Sequence, residues 1–273
     1  MLTRQHGRVS TRRGLVGVEA TAPELVLLGL CGAAFGSFVN VLAYRLPRRE
    51  SIVKPRSRCP GCDTTIRSYD NVPIVSWLVL RGKCRDCGMR ISVRYPLVEA
   101  VTAALFVALG LKFGREAALW PALALAVTLV AAAATDLEQR IIPNRLMLAG
   151  AVLALVLWTL AEPSRLPENL IAGAAAGGFL LIAALAYPAG MGMGDVKLAA
   201  VMGLFLGRSV GPALFVGFAA GAVAGMAIMA ARGAAARKQG VPFAPFLALG
   251  GIVGLLFGSG LIDWYVEVSG LSS

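Results

Sequence analysis

Apolar residues run along this chain in long blocks, and polar residues gather between them. The blocks fall near residues 23–43, 97–111, 117–135, 146–161, 169–187, 196–207, 212–231 and 243–262. A hydrocarbon core of about 30 Å takes roughly 20 residues of helix. Only helical bundles and closed barrels satisfy every backbone polar group inside lipid. Barrel strands would alternate in segments of about 10 residues, and these Ala/Leu/Gly blocks do not alternate. The pattern predicts an all-α polytopic membrane protein with about eight transmembrane helices. The sixth block is short for a crossing and holds Gly203 and Gly207. Small residues four apart, Gly173/Gly177 and Gly217/Gly221/Gly225, predict close helix contacts.

Composition agrees: 57% of residues are hydrophobic and 15% are charged, against about 25% charged in soluble domains. Residues 44–96 are the one sizeable polar region, so a small domain is inserted between the first two spans. Residues 1–22 form a basic N-terminal extension with Arg4, Arg8, Arg12 and Arg13. The apolar block behind it is long and set off by Glu19 and Glu24, which predicts a retained first helix over 23–43 rather than a cleaved signal. Residues 97–273 complete the membrane domain.

Charge orients this layout. The net charge is +11, and twelve of the 26 basic residues lie between Arg45 and Arg94. Loops 44–96, 136–145, 188–197 and 232–242 fall on one side of an eight-span chain. Together they hold eighteen Lys and Arg, leaving eight for the other side. The positive-inside rule places those four loops in the cytoplasm and both chain ends outside. Orientation therefore accounts for the basic loop, and a nucleic-acid partner is not needed.

Within that loop lie C-P-G-C at 59–62 and C-R-D-C at 84–87. Two C-x-x-C pairs at this spacing read as a four-cysteine zinc site formed by Cys59, Cys62, Cys84 and Cys87. Gly61 and Gly88 stand where tight knuckles would need permissive backbone. Two disulfides are the alternative pairing, which a reducing cytoplasm disfavours. Four thiolates close the coordination sphere, so the zinc is structural, and its binding would supply folding energy to a segment poor in apolar residues. Cys31 lies inside the first span and reads as a packing residue. Val72, Ile74, Trp77 and Leu78 either pack on the metal domain or lie on the membrane surface. Asn40, near the end of the first span, needs a polar partner, either a neighbouring helix or a substrate.

Two carboxylates stand out beyond residue 90. Asp136 ends an apolar block in A-A-A-A-T-D-L-E-Q-R-I-I-P-N, and Asp195 opens one in G-M-G-M-G-D-V-K-L. Both fall on the cytoplasmic side of the topology above. Ionisable groups at such positions are functional candidates, and each could also merely end a helix. Held close together, two carboxylates share a proton. One can then activate water while the other polarises a peptide carbonyl. Gly192, Gly194 and Lys197 would form a loop that lets an extended substrate approach. If Asp136 sits at a helix C-terminus and Asp195 at an N-terminus, the dipoles would make Asp195 the base and Asp136 the protonated partner. Cation or proton transport is the alternative use of such a pair, and a zinc-stabilised scaffold would need neither residue.

These residues resemble those of the bacterial type IV prepilin peptidases, membrane aspartyl proteases of the GxGD type. The resemblance covers roughly residues 30–258. It rests on G-S-F-V-N-V-L-A-Y-R-L-P, the paired C-x-x-C motifs, N-V-P-I-V-S-W-L-V-L-R-G-K-C, I-S-V-R-Y-P-L-V-E, T-D-L-E-Q-R-I-I-P, G-M-G-D-V-K-L and V-P-F-A-P-F-L-A-L-G. It implies cleavage of the short basic leader of prepilins or pseudopilins after a glycine, at the cytoplasmic face of the bacterial inner membrane. It also implies that Asp136 and Asp195 are the catalytic pair and the four cysteines the zinc ligands. Members with the long cysteine-bearing loop often also N-methylate the new N-terminus with S-adenosylmethionine, whereas short-loop members are usually peptidases only. Asn144 departs from the pattern, which often has an acidic residue there. No methyl-donor motif is legible, since G-M-G-M-G-D is not a G-x-G-x-x-G following a strand.

Overall fold

A computed structural model describes residues 19–54, 56–187, 191–232 and 241–270. Most of the N-terminal extension, including Arg4, Arg8, Arg12 and Arg13, lies outside the described residues, as does much of loop 232–242. The described chain forms nine α-helices: α1 (Ala22–Arg45), α2 (Val75–Val79), α3 (Arg94–Phe113), α4 (Leu119–Gln139), α5 (Asn144–Ala161), α6 (Leu166–Ala186), α7 (Met193–Leu206), α8 (Val210–Arg232) and α9 (Ala244–Val268). All except α2 belong to the membrane bundle.

Seven apolar helical stretches are long enough to cross a bilayer, and one of them, Met193–Ala231, is longer than a single crossing needs. It breaks at a single turn, Gly207–Ser209, into α7 and α8. Gly207 adopts φ +55°, a left-handed conformation that costs glycine little. The two helices then run in opposite directions. Gly221 of α8 faces Phe243 at the start of α9, while Ser209 faces Gly258 far along α9. Eight membrane helices result, and α7, with fourteen residues, is about 21 Å long at 1.5 Å per residue. Its shortness matches the weak sixth block of the sequence.

The helix ends sort into two groups. The C-termini of α1, α4, α6 and α8 lie at one end of the bundle with the N-termini of α3, α5, α7 and α9. The inserted domain, residues 46–93, also sits at this end. At the opposite end Glu24 pairs with Arg115 at 2.8 Å, closing the start of α1 onto the turn after α3.

Small residues set the helix spacing. A Cβ on Gly36 of α1 would lie 2.6 Å from the Cα of Glu99 on α3, and one on Gly203 of α7 would lie 2.5 Å from the Ala172 carbonyl oxygen of α6. Larger side chains would force these pairs apart, which is how tight helix association works in lipid. Gly173, Gly177, Gly217 and Gly221 face neighbouring helices in the same way, whereas Gly225 meets nothing within 4 Å. Helix α4 is the centre of the bundle. Of its apolar stretch 78% is buried, against at most 39% in any other. Its run Ala131–Ala134 lets neighbours close on it, with Leu125 and Leu129 fully enclosed.

Candidate active site

The last turn of α4 carries Asp136, and the first turn of α7 carries Asp195. Both side chains are buried, at the same end of the bundle. Ile142, six residues past Asp136, packs on Gly194, next to Asp195, and so ties the two helix ends together. The sequence separates them by fifty-nine positions. The packing of α5 and α6 between them in the chain returns α7 beside α4.

Helix ends surround this pair in a way the sequence does not announce. Asp195 is the third residue of α7, and its own N–H donates to the Gly192 carbonyl at 3.1 Å, forming the first turn. Asp136 lies near the C-terminus of its own helix, but its Oδ2 accepts the main-chain N–H of Ala244 at 3.0 Å. Ala244 is the first residue of α9, so Asp136 faces a helix N-terminus supplied by another part of the chain. The expected contrast, with Asp195 as base and Asp136 as protonated partner, therefore loses its basis. Each carboxylate has a helix N-terminus, and dipoles do not separate them. Main-chain donors have no sequence signature of their own. Pro242 and Pro245 were the available clue, because proline favours the first positions of a helix.

The three residues read as a substrate-approach loop occupy different environments. Among the described residues, a Cβ on Gly192 would meet the Asp195 carboxylate at 3.5 Å and the Gly194 nitrogen at 3.9 Å, ordinary contact distances, so bare backbone lies beside Asp195. Gly194 is covered: a Cβ there would lie 3.0 Å from the Cβ of Ile142. Lys197 is exposed, and its Nζ donates to Asn144 Oδ1 at 2.7 Å.

Beside the pair, Glu138 ties down both ends of the inserted domain. Arg94, at the start of α3, reaches Glu138 at 2.7 Å, and Arg48, just past α1, lies 3.9 Å from it. Asn40 finds its partner here too, donating from Nδ2 to the Tyr95 carbonyl at 3.1 Å. Sequence reasoning gave Glu138 no role, although it is the second carboxylate of T-D-L-E and lies just past a span.

The inserted domain brings its four cysteines together. The sulfurs of Cys59, Cys62, Cys84 and Cys87 all lie within 4.8 Å of one another. Those of Cys59 and Cys87 are 3.7 Å apart. Sulfurs placed tetrahedrally at about 2.3 Å from zinc would be separated by about 3.8 Å, so the set fits a Zn(Cys)4 centre. Each C-x-x-C sits in a short hairpin, one closed by Arg58 with Thr65 and the other by Lys83 with Arg90. In the second, Gly88 takes φ +72° as the knuckle requires. In the first, that left-handed position falls on Asp63 at φ 54°, not on Gly61. Gly61 instead is packed under Met89, whose Sδ would lie 2.7 Å from an added Cβ. The Thr64 hydroxyl and N–H bring the Cys62 thiol down to about 7. N–H groups of Cys87 and Asp86 lower Cys84 as well. Both effects favour the thiolates a metal needs. Trp77 packs on Gly82 and donates to the Ile91 carbonyl, so it belongs to this domain, whereas Leu78 is exposed.

Comparison with known proteins agrees with this arrangement. The Bacterial Peptidase A24 N-terminal domain matches residues 30–113, and the Type IV leader peptidase family matches residues 123–259. A protein of Bacillus subtilis named prepilin leader peptidase/N-methyltransferase is 36% identical over 246 residues, covering 90% of this chain and 99% of its own length. A protein of the same name from Myxococcus xanthus is 42% identical, covering 77% and 64%, and one from Aeromonas hydrophila is 34% identical, covering 88% and 93%. No solved structure matches the chain. Such identity, sustained across both the cysteine-bearing domain and the aspartate-bearing helices, means that the chain belongs to the type IV leader peptidase family.

Proposed function

We propose that this protein is a prepilin leader peptidase of the bacterial inner membrane and that Asp136 and Asp195 are its catalytic pair. One observation carries the assignment: two buried carboxylates, in the last turn of α4 and the first turn of α7, lie at the bundle end that bears the basic inserted domain, where Ile142 packs on Gly194 beside Asp195. With that end facing the cytoplasm, the pair meets the leader of a prepilin or pseudopilin whose apolar segment lies in the same membrane.

The chemistry needs no bound metal at the scissile bond. The ionised carboxylate takes a proton from water as its oxygen attacks the peptide carbonyl. The protonated carboxylate gives its proton to the carbonyl oxygen. Return of a proton to the nitrogen lets the C–N bond break, yielding a carboxylate on the leader and a free amine on the pilin. Gly192 puts no side chain beside Asp195, which lets a substrate backbone come close to that carboxylate. The Ala244 N–H holds the Asp136 carboxylate in place before substrate arrives, and Asp195 stands in the first turn of α7, where the helix dipole favours a carboxylate. Zinc on Cys59, Cys62, Cys84 and Cys87 fixes the fold of the inserted domain.

The curated relatives are also named N-methyltransferases. On this reading the newly freed amine accepts a methyl group from S-adenosylmethionine and loses a proton. The test combines both activities in one mixture of purified protein, detergent, a prepilin and labelled S-adenosylmethionine. Leader cleavage is expected from the native protein and not from Asp136→Ala or Asp195→Ala. Cleavage by either variant would overturn the pair. Label on the pilin N-terminus supports methylation, and unlabelled cleaved pilin makes the protein a peptidase only.

A further inference from the structure

The two aspartates sit on different helices, so something must fix the distance between those helices. Loop 140–143 leaves α4 four residues past Asp136 and leads into α5. It opens on Arg140, which takes the left-handed conformation at φ 54° and turns the chain sharply. The turn brings Ile142 onto Gly194, the residue just before Asp195. The Cβ of Ile142 lies 3.0 Å and its Cδ1 3.3 Å from where a Gly194 Cβ would be. Asn144, the first residue of α5, accepts a hydrogen bond from Lys197, two residues past Asp195. The contacts thus bracket Asp195 on both sides, and both come from the segment that follows Asp136.

We propose that Ile142 and Asn144 are positioning residues that hold Asp136 and Asp195 at their working separation, by docking on Gly194 and Lys197. This rests on the catalytic pair proposed above. It gives Gly194 a purpose distinct from that of Gly192. Gly192 leaves room for substrate, whereas Gly194 makes room for Ile142. A methyl group at Gly194 must push Ile142 outward, and with it the turn that follows Asp136. The Asn144–Lys197 bond is exposed, so it contributes little to stability; its effect is on register. The charged group facing the pair is Arg140 at the end of α4, while Lys197 on α7 is turned to Asn144.

The experiment measures leader cleavage by full-length protein in detergent, as kcat and KM across pH. Gly194→Ala makes Ile142 give way by a few tenths of an ångström and is expected to lower kcat by roughly tenfold, since catalysis is steep in the placement of its groups. Adding Ile142→Ala to that variant makes space and should recover most of the loss. Asn144→Ala and Lys197→Ala should each lower kcat with KM unchanged. They should also draw together the two limbs of the bell-shaped pH profile, because carboxylates further apart share a proton less strongly. Asn144→Asp, which keeps an acceptor for Lys197, should retain activity. Failure of Ile142→Ala to relieve Gly194→Ala would overturn the proposal. So would an unchanged kcat and pH profile, or a rise in KM alone, in Asn144→Ala and Lys197→Ala. Should Gly194→Ala not fold, as judged by size exclusion and melting, the two exposed variants decide alone. Asp136→Asn and Asp195→Asn serve as controls. Activity in either sinks the catalytic pair itself, whereas inactivity in both with no relief by Ile142→Ala sinks only the positioning role.

Discussion

Glu99 is a buried carboxylate on α3 whose Oε2 accepts the N–H of Ile74 at 2.7 Å. Ile74 holds φ +60°, which a β-branched residue adopts only when its surroundings impose it. This bond docks the middle of the inserted domain on the bundle, as Glu138 does its two ends. Glu99→Ala would strand the Ile74 N–H, at a cost of about 1–3 kcal/mol, and release the strained turn. Glu99→Gln keeps an acceptor and should be close to native. A lower melting temperature in the first variant and not the second checks this. Residues of this kind mark the limit of what the sequence shows. Asp136 and Asp195 are legible because a carboxylate beside an apolar block is costly wherever it stands. Asn40 is legible for the same reason, and it has its partner in Tyr95. The Ala244 N–H on Asp136 was not legible, because every residue except proline carries that donor and this one lies 108 positions away. Ile142 looked like one more apolar residue, since only the folded chain sets it against Gly194.

Among the elements, the four-cysteine domain and the short α7 differ in how far the sequence foretells them. Cysteine spacing alone predicts the metal centre, because a tetrahedral site needs two pairs in two tight turns. Each knuckle's left-handed position is harder to read: glycine fills it in one and Asp63 in the other. Proton competition should make metal binding sensitive to pH. Thr64 holds the Cys62 thiol down at about 7, whereas burial and the neighbouring sulfurs push Cys87 up to about 12, so protons compete with a metal for these ligands throughout the neutral range. Zinc affinity is then expected to fall steeply from pH 8 to pH 6, measured by competition with a coloured chelator, since bound ligands must be deprotonated. A flat affinity over that range would contradict the assignment. For α7, the apolar pattern reveals the short block but not the reversal after it. A Cβ on Gly207 would lie 2.8 Å from both Asn169 Oδ1 and Glu168 Oε1. Gly207→Ala combines that crowding with a positive φ. The expected loss is about 1–3 kcal/mol, read as a lower melting temperature in detergent.

At the scale of the whole molecule, charge and helix direction make one argument. Helix packing groups loops 44–96 and 136–145 at one end of the bundle, together with the described flanks of 188–197 and 232–242. Positive charge along the chain selects the same group, with eighteen of the 26 Lys and Arg in those four loops. The first observation follows from side-chain packing and the second from the bias against carrying basic loops across a membrane, so they are independent. Their agreement depends on α7 and α8 being two antiparallel crossings. A single bent helix over 193–231 would put α9 upside down, and Ala244 could not reach Asp136. Native membranes allow a direct test. Arg49 and Arg56 are exposed and lie in the most basic loop, so trypsin should cut after them when it has access. Inverted vesicles should yield fragments whose N-termini lie in the inserted domain. Spheroplasts, treated identically, should leave that loop intact. Cutting of the loop in intact spheroplasts would place the aspartates on the outer face, where they could not meet a leader that has not crossed the membrane.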